Sequence, residues 1–255
     1  DLLRALIKMR GSVDSALVIG WLRAKRFAVS AGRVEPLCGV LAASFFRFRE
    51  LSGELFEATA LEVTYYTDFS TGELLDTLVM PFSGKSVDVP VHRFGPVKTR
   101  FAVSLEEQED FKPAAGTTQD QFAPAASVRM SKSIASHYVR RDELFLRHEE
   151  YGRVYPADSG NPNMFYKEST IWSAPLRDVL NDRTTNVDAR VSYSAMTSWR
   201  PWMQMADVPG FTTSNGFGGK ARSLEDLPDD YLRFTEMTNP DVLEGPEALL
   251  DALEE

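Results

Sequence analysis

A set of side chains on strand-like stretches carries groups able to move a proton or stabilise an anion: Tyr65, Lys132, Tyr138, Arg140, His148 and Tyr193. Each belongs to a run in which alternate residues are apolar, and a period of two puts alternate residues on one side of a sheet. Leu61 and Val63 share a side with Tyr65, and Val128, Met130 and Ile134 with Lys132, Tyr138 and Arg140. Leu144 and Leu146 share theirs with His148, and Val187, Ala189 and Val191 with Tyr193. Polar groups on an apolar face need a reason, and the reason predicted here is convergence on one cavity. Burial moves Lys and His towards the neutral form, which suits a base near neutral pH. Lys132 or Arg140 would then stabilise a phenolate, while His148 or a tyrosine moves a proton. The bland alternatives are tyrosines packed with one satisfied hydroxyl, cations that snorkel to a rim, and a satisfied core histidine. One β-bulge would reverse the assignment beyond it.

The run Trp199-Arg200-Pro201-Trp202-Met203-Gln204-Met205 concentrates indoles, thioethers and a guanidinium. Such density suits an apolar, polarizable pocket wall with Arg stacking on a ring or clamping an anion; the alternative is a hydrophobic plug at a barrel end. Trp199, Arg200, Trp202 and Met203, with Trp172, are the predicted substrate-binding residues. His92 shares a face with Asp88 and reads as an exposed pair, and His137 reads as facing solvent. These scattered histidines form no HxxxH pair, so no metal site is expected. Cys38 is a lone cysteine in an apolar run, which excludes an internal disulfide and reads as a small buried hydrophobe. Gly216-Phe217-Gly218-Gly219-Lys220 lacks phosphate-loop spacing and reads as a flexible loop. Dinucleotide motifs and a G-x-S-x-G elbow are absent, so no cofactor is expected and an α/β-hydrolase is excluded.

The elements that must position these groups are mostly strands. The chain has 255 residues, 43% apolar and 25% charged, enough for a core without disulfides or metal. The net charge of −9 opposes nucleic acid as a partner and disfavours an anionic membrane surface, and no apolar run is long enough to span a bilayer. Residues 1–10 have helical spacing ending at Gly11, 17–30 read as a strand pair around Ala24-Lys25, and 37–51 and 55–67 as strands. Ser70-Thr71-Gly72-Glu73 and Ser83-Gly84-Lys85 are tight turns that make 61–97 a meander. Residues 104–126 and 155–163 read as loops, the first flexible; strands are expected at 127–140, 143–150, 164–173 and 187–198, and a short helix near 176–182. Ser223-Leu-Glu-Asp226 opens a C-terminal helical segment over 223–255. With no βαβ alternation, the expected fold is β-rich α+β: one large antiparallel, calycin- or lipocalin-like β-barrel domain over 1–255 with short helices at both ends. Long strands with an exposed edge make a homodimer an expectation.

Several segments together resemble a bacterial family catalogued as DUF1838. They are Lys8-Met9-Arg10-Gly11-Ser12, Tyr65-Tyr66-Thr67-Asp68, Thr71-Gly72-Glu73-Leu74-Leu75-Asp76, Pro81-Phe82-Ser83-Gly84-Lys85-Ser86-Val87, Trp199 to Met205 with Pro209-Gly210, and Leu224-Glu225-Asp226-Leu227-Pro228. Their order along the chain carries the resemblance. It implies a barrel similar to the small-ligand calycins, no transferable catalytic residue, and an export leader in relatives, so that a leader removed before Asp1 is one expectation. Cytoplasmic localisation is favoured over periplasmic. Leu78, Met80 and Phe94-Gly95 are less polar than their counterparts in relatives, which would alter the ligand. The function expected is a cofactor-independent acid/base lyase or isomerase for an apolar aromatic, phenolic small molecule. Side-chain deformylation or elimination on a plant-derived aromatic dimer is an instance. The alternatives are a non-catalytic lipocalin-like binding protein, and an interaction module using the acidic surface.

Overall fold

The computed structural model describes residues 1–103, 125–156 and 164–253, with backbone alone at 125–131 and 154–156. The expected flexible loop therefore lies almost wholly outside the described residues, as do most of the 155–163 loop and the side chains of Val128 and Met130.

The fold is mostly β, a nine-stranded antiparallel half-barrel with a few short helices. Helix α1 (Leu2–Arg10) starts at Asp1, whose carboxylate accepts the Leu3 and Arg4 amides at 3.0 and 3.3 Å and satisfies donors a helix end leaves free. The strands are β1 (Val18–Ser30), β2 (Arg33–Ser52), β3 (Leu55–Thr67), β4 (Thr77–Val79), β5 (Ser86–Asp88), β6 (His92–Phe101), β7 (Ala125–Arg140), β8 (Glu143–Pro156), β9 (Met164–Pro175), β10 (Arg190–Ser198) and β11 (Phe211–Ala221). Helix α2 (Leu176–Leu180) links β9 to β10, and α3 (Asp229–Thr238), α4 (Pro240–Glu244) and α5 (Pro246–Asp251) follow the last strand. The sheet order is β6-β3-β2-β1-β11-β10-β9-β8-β7, with β4 and β5 as a separate ribbon. The sheet curls until its two ends face each other: the Phe101 ring on β6 lies 5.4 Å from the His148 ring on β8.

Two sequence expectations change here. Residues 17–30 are one strand, because the reversal falls at Ala31-Gly32, where both residues take positive φ (48° and 75°), and not at Ala24-Lys25. The Gly216 to Lys220 stretch is part of β11, which fills the centre of the sheet between β1 and β10. Its glycines permit close backbone approach: a Cβ on Gly218 would lie 1.9 Å from the Trp21 carbonyl oxygen, and one on Gly216 2.3 Å from that of Arg23. Lys220 closes the strand as a clamp. Its ammonium donates to the carbonyls of Lys8 (2.9 Å), Gly11 (2.7 Å) and Val187 (3.0 Å) and to Asn186, tying the end of α1 to the approach to β10.

The core lies on both sides of the sheet. On the convex side, Leu41, Ala43, Phe45, Leu61, Val63 and Tyr65 pack under Tyr231, Phe234, Val242 and Leu250 of α3–α5. Each buried Leu, Val or Phe side chain there contributes roughly 1.5–3 kcal/mol. At one end of the concave side, Leu6, Ile7 and Met9 of α1 meet Phe48, Phe56, Leu146 and Trp172. At another, Leu37, Cys38, Tyr66 and Met80 meet Met203 and Met205. Between them the concave face turns polar. No described helix is long and apolar enough to cross a membrane.

Candidate functional site

The polar stretch of the concave face encloses a cavity of about 290 Å³, near the lower end of small-molecule sites. Strand pairing decides which side chains reach it. Across β3, Glu62 lies opposite Ser44 and Phe94, and Thr64 opposite Ala42 and His92. On β9, Glu168 lies opposite Glu150 and Ala195, and Thr170 opposite His148 and Tyr193. On β1, Arg26 lies opposite Cys38. Arg10 reaches in from the end of α1 and Arg200 from the turn after β10, while Trp21, Phe46, Phe94 and Trp172 give apolar wall.

The centre of the site is Glu168. Tyr193 donates its hydroxyl to Glu168 Oε1 at 3.1 Å. Burial, then repulsion from Glu150 and Glu62, pushes the Glu168 carboxyl up to about 7, against the pull of Tyr193 and Arg200. The same burial, with Glu168 nearby, holds the Tyr193 phenol well above its usual range. Glu150 is drawn the other way, below the usual carboxylate range: Arg10 and His148 beside it outweigh its burial, with Arg10 Nη1 3.6 Å from Oε2. The Arg10 guanidinium also lies over the Phe46 and Phe101 rings, at 5.4 and 5.2 Å. Two neighbouring carboxyls are thus driven apart, one ionised and one poised near neutrality, which is how a single site can hold both a charge and a transferable proton.

Glu62 accepts from Thr64 Oγ1 (2.9 Å) and Ser44 Oγ (3.3 Å) and lies 4.0 Å from His92 Nε2. Burial, reinforced by Arg200 and Arg26, keeps His92 neutral far below its usual range. Arg26, only 6% exposed, donates through Nε to Ser214 Oγ at 3.0 Å and through Nη1 to the Tyr66 hydroxyl at 3.4 Å, and packs on the Tyr66 ring. The buried Tyr66 in turn packs on Trp202, with centroids 5.2 Å apart. The Trp172 indole N–H, buried at the wall, has no acceptor among the described residues.

The expected proton-moving residues do not converge. Tyr193 lines the cavity. His148 faces inward but stands behind the wall: its Nε2 is 2.7 Å from Ser133 Oγ, its Nδ1 3.9 Å from Glu150 Oε2, and burial lowers its pKa. Tyr65 is on the convex side, its hydroxyl donating to Thr235 Oγ1 at 3.1 Å beneath α3. Lys132, Tyr138 and Arg140 are exposed: a bulge between Met130 and Lys132 leaves Ser133 inward in place of Lys132, and at the hairpin end every side chain from Ser136 to Arg140 is exposed. His92, read as exposed, is buried; His137 is exposed as expected. Of the predicted binding residues, Arg200 and Trp172 line the cavity, Trp202 and Met203 pack with Tyr66 in the plug beneath it, and the Trp199 indole donates to the Val208 carbonyl at 2.8 Å. Cys38 is a packed hydrophobe whose thiol burial pushes up to about 11.

Missed by the sequence reading were Glu62, Glu150, Glu168, Arg26, Tyr166 and Arg10. For three of these, Glu150, Glu168 and Tyr166, an alternation was present, though it looks the same as a solvated edge. Two residues beyond His148 comes Glu150, and stepping back from Trp172 by twos gives Thr170, Glu168 and Tyr166. Among the described residues no group of three or more His, Cys, Asp or Glu side chains is placed to hold a metal ion.

Fold and site together define a β-rich half-barrel with a polar, aromatic-walled cavity on its concave face. The chain matches the model of DUF1838, described as a protein of unknown function, over residues 27–255, and it belongs to that family. No curated protein matches it.

Proposed function

We propose that this protein is a cofactor-independent acid/base lyase or isomerase for a small apolar aromatic, phenolic molecule. Side-chain deformylation or elimination on a plant-derived aromatic dimer is a concrete instance. The observation that carries this reading is the Glu168 carboxyl, held near neutrality on the cavity wall with Tyr193 donating to it at 3.1 Å. A carboxyl poised near the working pH is an efficient proton carrier. Glu168 in its ionised form takes a proton from a side-chain hydroxyl of the substrate. Departure of a benzylic oxygen, protonated as the phenol gives up its proton, leaves the ring as a quinone methide. The adjoining C–C bond then breaks to release formaldehyde, its electron pair reduces the quinone methide to a phenolate, and an arginine at the cavity stabilises that phenolate until it is reprotonated. Trp21, Phe46, Phe94 and Trp172 supply the surface for the ring. Convergence of proton-carrying groups on one cavity favours an enzyme over a lipocalin-like carrier, which needs apolar surface alone.

The test is turnover of phenolic arylpropanoids bearing a hydroxymethyl side chain, with formaldehyde and ring products measured together. The expected kcat/KM rises with pH through about 7, the value at which Glu168 gives up its proton. Glu168→Gln should lose about 100-fold or more and remove that limb of the profile, while circular dichroism stays native. Turnover in the Gln variant with an unchanged pH limb would remove Glu168 from the chemistry. Absence of turnover across the panel would leave the binding-protein reading standing.

A further inference from the structure

We propose that the cavity recognises an anionic ligand, and that Arg26 is the group that receives its oxyanion, a carboxylate or phenolate. This rests on the cavity being a small-molecule site, though not on its being catalytic.

Arg26 is a charge in the wrong place for a structural residue. It stands on the central strand β1, 6% exposed, in the wall of the cavity. Removing a guanidinium from water is costly unless an anion accompanies it. Its protein partners are neutral: the Ser214 hydroxyl, the Tyr66 hydroxyl and the Tyr66 ring. No carboxylate among the described residues comes within ion-pair distance of it. The cavity carboxyls are engaged elsewhere: Glu150 faces Arg10, Glu62 accepts from Thr64 and Ser44, and Glu168 accepts from Tyr193. The other titratable groups around Arg26 are Tyr66, Tyr193 and the Cys38 thiol, all pushed by burial towards their neutral, protonated forms, the neutral His92, and the Arg200 guanidinium, a second cation that adds to the positive field.

The geometry also leaves Arg26 prepared for a ligand. Ser214 holds Nε and Tyr66 backs the guanidinium plane, so the fork is oriented in advance while its remaining N–H groups are unspent. Planar, delocalised and pre-oriented, it matches a carboxylate bidentately or a phenolate oxygen at a single point. An aromatic ring attached to that oxyanion would extend towards the apolar walls of the same cavity.

The experiment is calorimetric titration of the full chain at pH 7.5 with benzoate and with benzamide, a neutral molecule of the same shape. Bound 4-nitrophenol is followed in parallel by absorbance, which reports ionisation of its phenol. Benzoate should bind about tenfold or more tightly than benzamide, or 4-nitrophenol should be shifted towards phenolate on binding. The first result names a carboxylate as the recognised group and the second a phenolate. Arg26→Gln should remove whichever preference is found and leave benzamide affinity unchanged, and Arg26→Lys should keep a reduced one. Equal affinity for benzoate and benzamide with no ionisation shift overturns the proposal, as does absence of binding up to about 10 mM, or a preference that survives in Arg26→Gln. The wild-type comparison decides by itself whether the cavity prefers an anion, and where Arg26→Gln does not fold, Arg26→Lys carries the assignment to Arg26: an undiminished preference there overturns it. Glu168→Gln separates the two readings: it should keep the anion preference while losing turnover.

Discussion

Strand β3 presents two faces with opposite uses. Leu61, Val63 and Tyr65 point to the convex side and are sealed under α3, α4 and α5. Glu62, Thr64 and Tyr66, one residue out of phase, point to the concave side, where the first two line the cavity and Tyr66 backs Arg26. In a single sequence, apolar alternation looks the same whether it faces a barrel interior or a layer of helices. Here the stronger apolar alternation marks the helix-covered face, and the polar alternation marks the site. Tyr65 and Tyr66 are adjacent and both fully buried, yet one hydroxyl is spent on Thr235 and Thr238 in α3 and the other meets a cavity arginine.

If the two faces are separable, changes on the convex side should cost stability and leave ligand recognition alone. The largest effect is expected for Leu61→Ala, which empties a fully buried position and should destabilise by about 2–5 kcal/mol in urea titrations. The benzoate-to-benzamide ratio of the remaining folded protein should match wild type, and a changed ratio would mean that the two faces are coupled. Tyr65→Phe deletes the hydroxyl between Thr235 and Thr238 and should cost about 1 kcal/mol with turnover unaffected; a loss of activity would return Tyr65 to the site. The smallest effect is expected for Lys132→Ala combined with Arg140→Ala. Both residues are exposed, so stability should change by no more than about 0.5 kcal/mol and kcat/KM should not move. A large loss there would place chemistry at β7 and break the comparison.

Much of the fold was legible because it rests on local rules. Apolar runs bounded by Gly and Asp turns mark strands whatever surrounds them, and the helical spacing of Leu2 to Arg10 and the Ser223 to Pro228 start mark the helical ends. The reading failed at Gly216 to Lys220, where glycines that usually signal a loop serve backbone approach inside β11. It failed again at β7, where a bulge lies beside the outward-facing Lys132 and the hairpin end that carries Tyr138 and Arg140 is exposed on both faces. Within the site, Tyr193, Trp172 and Arg200 were legible as polar or aromatic groups within apolar patterns. Glu168 and Glu150 were not, because an acidic residue two places from another polar one looks like a solvated edge until the opposite wall is known.

The sequence by itself determined the family, the β-rich class, most of the turns and the period-two partition of most strands into two faces. Each of these depends on contacts within a few residues or on composition. Only the tertiary structure decided which face became the cavity and which became the floor under the helices. That choice depends on where α1 and α3–α5 pack, through contacts between residues far apart in the chain such as Tyr65 with Thr235. It also decided the charge states, since Glu168 is ordinary along the chain and is held near neutrality by burial and by Glu150 and Glu62.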